Sequence, residues 1–399
     1  MQQSNRITTL TGGGSDGWDL FVRARGMIAT GIDVTELTIG EHDIKTHDDI
    51  LDAMHASAKA GRTGYSMVPG EDTLRDAVAA RTQATTGVPT TRDNVLITPG
   101  GQSALFSSHT AACDAGDTAL YIDPYYATYP GVIRSVGARP VTIPTSPEND
   151  FQVRFEDIDA AAKANPNAKS LLVNSPNNPT GVVYSRATLD GIAQACIDND
   201  LWLISDEVYD TQIWEGKHIS PRALPDMAER TMVVGSMSKS HAMTGSRVGW
   251  IIAPQDVVAN LITLATHTTY GVAGFIQDAA HYALNIGADF EDAVAEPFRR
   301  RRALSLDILA RQNVVRAVPP QGAMYLMLDI RATGLSGEEF ANKLLDAHHI
   351  AVMPGESFGH AAAGHIRVAM TIDDARFSAA LETLCAFAQS LVKRKLLSS

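Results

Sequence analysis

The chain has few cysteines, few aromatics, a shortage of positive charge and no long apolar run, and most of these shortages exclude a class of protein. Its three cysteines, Cys113, Cys196 and Cys385, stand far apart. An odd count without a CxxC pair fits no closed disulfide framework, and it fits a reducing, cytoplasmic setting. Thirty-three basic against 45 acidic residues give a net charge of −12, which disfavours attraction to phosphate backbones and anionic lipid. Neither nucleic acid nor a membrane is an expected partner. No apolar run approaches the roughly 20 residues that a spanning helix needs. The N-terminal MQQSNRITTLTGGG lacks the basic-then-apolar pattern of a secretory signal. His360 with His365, and the pair His348 and His349, have neither HExxH spacing nor a CxxC companion, so no metal site is expected. Only 6% of residues are aromatic, so the few that cluster carry weight below.

What remains is an ordinary globular composition, 45% hydrophobic and 20% charged over 399 residues, enough chain for two or three compact units. From about Asn94 to Ala253, the apolar runs NVLIT, TALYI, SLLVN, LWLIS, TMVVG and VGWII alternate with amphipathic or polar stretches. Among the latter, GQSALFSSHTAACDAGD reads as a helix closed by Gly116, and RATLDGIAQACIDND as a second helix. Near-continuous apolar strands separated by helices predict an α/β unit with a mainly parallel sheet covered on both faces. After about Pro297 come a basic helix (FRRRRALSLDILARQ), a strand (AMYLMLDI), a helix (GEEFANKLLDAHH), two short strands and a terminal helix. That order predicts a separate α+β domain.

The chemistry-bearing segments follow these strands. GSMSKSHAMTGSRVGW comes after TMVVG, in a loop at a strand's carboxyl end, where open α/β sheets place ligands. Within it, Lys239 lies between Ser236 and Ser238 on one side and Arg247 on the other. A nucleophilic amine needs a depressed pKa, and hydroxyls with a guanidinium can hold a phosphate. Taken alone, the same residues also describe a solvated surface loop. SDEVYD, at 205–210, follows LWLIS. Asp206 there can pair with a protonated ring nitrogen and Tyr209 can donate to a phenolic oxygen, or the acids can simply favour a helix N-terminus. NSPNNPTG, at 174–181, is an Asn/Pro turn of a common kind, whose Asn178 amide is also a rigid donor for such an oxygen. TPGGQSALF, at 98–106, places the amides of Gly101, Gln102 and Ser103 at a helix N-terminus, a weak signal for an anion site.

Together and in this order, the segments resemble the class I/II aminotransferases, aspartate-aminotransferase-like members of the fold-type-I pyridoxal-phosphate enzymes. The resemblance runs from about Leu37 to the C-terminal helix. It implies a mainly parallel seven-stranded sheet in a cofactor-binding large domain spanning 46–290, and a small α+β domain built from 1–45 and 291–399. It further implies pyridoxal 5′-phosphate as cofactor, a homodimer with a shared active site, and ping-pong transamination between an L-amino acid and a 2-oxo acid. Lys239 is similar to the family's Schiff-base and proton-shuttling lysine, Asp206 to the partner of the pyridine nitrogen, and Tyr209 with Asn178 to the ligands of the 3-hydroxyl. Arg247, Ser236 and the amides near Gly101, Gln102 and Ser103 resemble the phosphate ligands. Tyr126, in DPYYATYP, stands where a ring stacks on the cofactor, and Tyr65, in GRTGYSMVPG, where a tyrosine reaches the neighbouring subunit's phosphate. Arg367, in GHIRVAM, and Gly40, in LTIGEHD, correspond to the contacts of the substrate's α-carboxylate, with Asn178 beside them.

Two departures stand out. His42 occupies a position where proline is usual, and Gln102 one where members that accept dicarboxylates often carry lysine. With Trp18, Tyr65 and Tyr126 supplying aromatic surface, neutral or apolar amino acids are the expected donors. A carbon–sulfur β-lyase would use the same lysine and aspartate but release pyruvate and ammonia without an acceptor. A pyridoxal-phosphate-sensing transcription regulator is disfavoured by the acidic charge and by a resemblance that starts near Leu37.

Overall fold

The computed structural model describes residues 1–13 and 17–398. Strand β1 (Thr35–Leu37) precedes a run of seven: β2 (Val95–Thr98), β3 (Thr118–Asp123), β4 (Arg139–Pro144), β5 (Ala168–Asn174), β6 (Trp202–Asp206), β7 (Thr231–Ser236) and β8 (Gly249–Ile252). The C-terminal part adds β9 (Arg316–Ala317), β10 (Tyr325–Asp329), β11 (Ile350–Pro354) and β12 (His365–Ala369).

The large sheet has the order β2-β8-β7-β6-β5-β3-β4. Pairings from β7 to β4 are parallel, whereas β8 runs antiparallel to both β2 and β7. This is the expected mainly parallel α/β sheet. The six apolar runs are all strands, and the seventh is β4, RPVTIP. It lies at the edge, mostly half-buried, with prolines at 140 and 144. An edge strand tolerates proline because one side of its backbone needs no ladder partner, so β4 carries no apolar run to betray it.

One face of the sheet is covered by helix Gly100–Ala112, whose Ala104 and Leu105 pack with Leu96, Ile204, Met232 and Ile251. Helices Phe155–Ala164 and Arg186–Asp198 cover the other through Ile158, Leu189 and Ile192, against Leu120, Leu171 and Leu203. Burying both faces of β3, β6 and β7 is what demands their unbroken apolar sequence. Helix Gly100–Ala112 ends short of Gly116, contrary to the sequence reading. Cys113 is already extended, and Gly116, at φ 95°, instead makes the turn into β3.

The second sheet has the order β1-β11-β12-β10-β9, with β1 parallel to β11 and the other pairs antiparallel. Helix Gly337–His348 opens with a capping box between Ser336 and Glu339, and its Phe340 and Leu344 join Leu326, Val352, Val368 and Phe377 in one core. Helix Ala288–Leu309 starts before Pro297 and carries that proline inside it, with Val294, Ala295 and Phe298 buried on either side. Packing there outweighs the lost backbone donor. No described helix is long and apolar enough to cross a membrane.

Candidate active site

The carboxyl ends of β5, β6 and β7 terminate at Asn174, Asp206 and Ser236, and all three side the same cavity of about 300 Å³. From the second sheet, Tyr325 of β10 and Arg367 of β12 form its opposite wall, and Gly40 closes it after β1. Gly101, Gln102, Tyr126, Asn178, Tyr209, Lys239 and Arg247 also line it. Segments spread over most of the chain thus meet where an open α/β sheet places its ligand.

Lys239 sits in the helical turn Met237–Ser240, capped by Ser236, whose Oγ accepts the Ser238 amide at 3.1 Å. Its Nζ donates to the carbonyl of Gly40. Burial lowers this amine to about 8; Glu41 pulls it back up, and Arg367 and Arg247 repel its charge further. A substantial neutral fraction near neutral pH is the condition for an amine nucleophile and base.

Asp206 is buried at the end of β6, its Oδ2 accepting from the Tyr129 hydroxyl at 2.7 Å and its Oδ1 from the Val208 amide at 3.3 Å. Burial raises its carboxyl to about 6, opposed by these two donors, and no cation is among the groups that set its charge. Arg367 is the mirror case. It is 1% exposed, its Nη1 donates to Asn178 Oδ1 at 2.8 Å, its Nη2 donates to the Thr38 carbonyl, and no hydrogen bond reaches its Nε. The rings of Tyr325 and Phe358 sandwich the guanidinium, each centroid 4.4 Å from Cζ. Burial depresses its basicity and no carboxylate opposes that. A buried cation without a counter-charge is costly, so this one suits an anionic ligand.

Arg247 follows the turn Thr244–Ser246 with φ 50°, its Nη1 donating to the Thr244 carbonyl at 2.8 Å. It lies against Gly100 so closely that a Cβ at that glycine, itself at φ 78°, would overlap the guanidinium. A guanidinium over the first amides of helix Gly100–Ala112, next to Ser236, is an anion cradle. Tyr126 lines the cavity with its ring edge-on to Tyr129 at 5.7 Å.

Residues 32–384 match the family model described as aminotransferase class I and II. The chain belongs to this family. It is 40% identical over 372 residues to the arginine–pyruvate transaminase AruH of Pseudomonas aeruginosa, covering 93% of this chain and 94% of that protein. To the probable aspartate/prephenate aminotransferase of Thermus aquaticus it is 36% identical, covering 92% and 94%. Among solved structures, the aspartate aminotransferase from Thermus thermophilus with maleate superposes with a TM-score of 0.89 at 32% identity, covering 98% of this chain and 99% of that one. The class I and II aminotransferases depend on pyridoxal phosphate, and this chain is a pyridoxal-phosphate-dependent aminotransferase.

The side chains fit that cofactor independently of the relatives. Asp206 lacks a cation and a protonated pyridine nitrogen is one; Arg247 and the helix amides suit a phosphate; Lys239 is a low-pKa amine. Asn178 Oδ1 is taken by Arg367, which leaves its Nδ2 as a donor.

Two residues expected at the site do not line this cavity. The Ser103 side chain is carried away from that of Gln102 by the helical step of about 100°, so the role expected of this residue falls on its backbone amide alone. Tyr65 is 93% exposed, edge-on to Tyr270 at 5.3 Å, and lines no part of its own chain's cavity. Conversely, Tyr129, Tyr325, Glu41, Asn174 and Thr244 border the cavity unheralded. Tyr129, Asn174, Thr244 and Glu41 lie inside segments already singled out, in DPYYATYP, NSPNNPTG, GSMSKSHAMTGSRVGW and LTIGEHD, whereas Tyr325 has no such signal. His42 packs edge-on to Phe298 at 5.2 Å, and burial, with Lys239 adding to it, lowers its imidazole to about 3, so it is neutral.

Proposed function

We propose that this chain transfers the amino group of an L-amino acid to a 2-oxo acid by a ping-pong mechanism, with Lys239 as Schiff-base lysine and proton shuttle. The observation that carries the reading is the gathering of Lys239, Asp206, Arg247 and Arg367 around one cavity. When bound, pyridoxal phosphate supplies a carbonyl carbon open to amines and a ring that draws electrons from the amino acid's Cα. The chain does the rest. Arg247, Ser236 and the amides of Gly101, Gln102 and Ser103 hold the phosphate; Asp206 keeps the ring nitrogen protonated; Tyr209 and Asn178 donate to the 3-oxygen; Tyr126 stacks on the ring. Arg367 and Gly40, with Asn178, orient the α-carboxylate. Nζ of Lys239, whose basicity burial lowers to about 8, would take the Cα proton in its neutral form and pass it on.

The large domain, 46–290, carries the cofactor, and 1–45 with 291–399 form the small domain. The chain works as a homodimer, in which the exposed Tyr65 reaches the neighbouring subunit's phosphate. Three separated, unpaired cysteines support a cytoplasmic setting. Trp18, Ile39 and Tyr126 line the cavity and favour neutral or apolar donors. Arginine as donor with pyruvate as acceptor is a second reading, supported by the relative named for that pair and by the Glu41 carboxylate on the cavity wall.

The test is the visible spectrum of the holoenzyme with single amino acids and no oxo acid. The band of the lysine-bound cofactor is expected to fall and that of pyridoxamine phosphate to rise, and the amino acids that achieve this name the donor class. Ammonia and pyruvate released without any acceptor would replace transamination with β-elimination.

A further inference from the structure

Nothing in the run AMYLMLDI marks Tyr325 as functional, yet the fold brings it against three parts of the cavity. Its hydroxyl lies 2.9 Å from that of Tyr209. Its ring centroid is 4.4 Å from Cζ of Arg367. A Cβ at Gly40 would overlap its hydroxyl, so only glycine lets that backbone, whose carbonyl accepts from Lys239, come this close. Tyr325 and Tyr209 are 2% and 4% exposed.

Between the two phenols either oxygen can be the donor. A phenol has one proton to give. Burial raises both phenols above their ordinary value, so each keeps its proton at neutral pH. If Tyr209 directs its proton at the cofactor's 3-oxygen, as argued under the proposed function, it can only accept from Tyr325. A chain running from Tyr325 to Tyr209 to the ring oxygen strengthens its terminal bond, since each link polarises the next.

We propose that Tyr325 is a positioning residue: its hydroxyl donates to Tyr209 and fixes Tyr209 as donor to the 3-oxygen, while its ring holds the guanidinium of Arg367 for the substrate carboxylate. The inference rests on the reading of Tyr209 and adds to it a group that acts through it. A stronger donor at the 3-oxygen stabilises that oxygen's anionic form. The lysine-bound cofactor then loses its proton at lower pH than it otherwise would.

The experiment is a pH titration of the holoenzyme's visible spectrum in Tyr325→Phe, Tyr209→Phe and the double variant. Tyr325→Phe removes one oxygen and keeps the ring. Its spectral midpoint is expected to rise by roughly half a pH unit, with a larger rise in Tyr209→Phe. In the double variant, Tyr325→Phe should add nothing to Tyr209→Phe, as a group acting through another requires. A midpoint moved by Tyr209→Phe but not by Tyr325→Phe overturns this inference alone, as does a Tyr325→Phe shift that persists undiminished beside Tyr209→Phe. A Tyr209→Phe variant with an unmoved midpoint overturns the reading of Tyr209 and this inference with it. The ring is tested separately. Tyr325→Leu should raise the KM for the amino acid about tenfold over Tyr325→Phe, by loss of the cation–π face; equal KM values would remove that half of the proposal.

Discussion

Lys239→Ala is expected to lower kcat/KM for transamination by about 10⁴-fold, the upper end of what one positioned acid/base contributes. The reason is geometric as much as chemical. Among the described residues no other lysine lines the cavity, and the cations that act on the charge of Nζ, Arg367 and Arg247, are guanidinium groups, which offer donors and no acceptor. The other holds proposed for the cofactor, Arg247 and the amides of Gly101, Gln102 and Ser103 for the phosphate and Asp206 for the ring nitrogen, are untouched by the substitution. The variant should therefore still retain cofactor, read by its absorbance after gel filtration, while steady-state turnover is lost. Substantial transamination in that variant would assign the proton transfer to another group.

Asp206→Asn should lower kcat by roughly 10²–10³-fold, about 3–4 kcal/mol of preorganised electrostatic stabilisation. The amide is nearly isosteric: its oxygen can still accept from the Val208 amide, and its nitrogen can donate to the Tyr129 hydroxyl where Oδ2 now accepts, so the fold around β6 is preserved. What it lacks is the negative charge. In the free chain, burial favours the neutral acid and raises the Asp206 carboxyl to about 6. A cationic ring nitrogen facing it would offset that rise and hold the carboxylate ionised. Without the charge, a ring nitrogen held there would give up its proton more readily, and the ring's pull on Cα electrons would weaken. Steady-state kinetics of Asp206→Asn and Asp206→Glu separate the two terms: Glu keeps the charge and should restore part of the rate. A loss of less than tenfold in Asp206→Asn would contradict the pairing.

The parts of this enzyme that were legible in its sequence are those whose physics is local. A strand buried on both faces must be apolar throughout, so β2, β3, β5, β6, β7 and β8 announced themselves, and so did the polar segments at their carboxyl ends that hold Asn178, Asp206 and Lys239. Strand β4 did not, because an edge strand needs neither continuous apolarity nor every backbone donor. Gly116 reads in the sequence as a helix terminator, whereas its left-handed conformation serves the turn beyond the helix. Side-chain direction was harder still. Ser103 follows two cavity residues in sequence, yet the helical rotation turns it aside. Tyr129 and Tyr325 acquire their partners, Asp206 and Tyr209, across 77 and 116 residues, a separation that only the packed fold spans. Arg367 is legible as a basic residue in a strand, but its aromatic sandwich between Tyr325 and Phe358 is not, and that sandwich holds the guanidinium buried without a carboxylate.

The most direct measurement is to treat the holoenzyme with borohydride, digest it and find the modified peptide by mass spectrometry. Borohydride reduces a carbon–nitrogen double bond between a lysine and the cofactor to a stable secondary amine. The expected result is one pyridoxyl group, on the Lys239 of SMSKSHAM. The same group on any other lysine, or on none, would contradict the assignment of Lys239 as the residue that carries the cofactor.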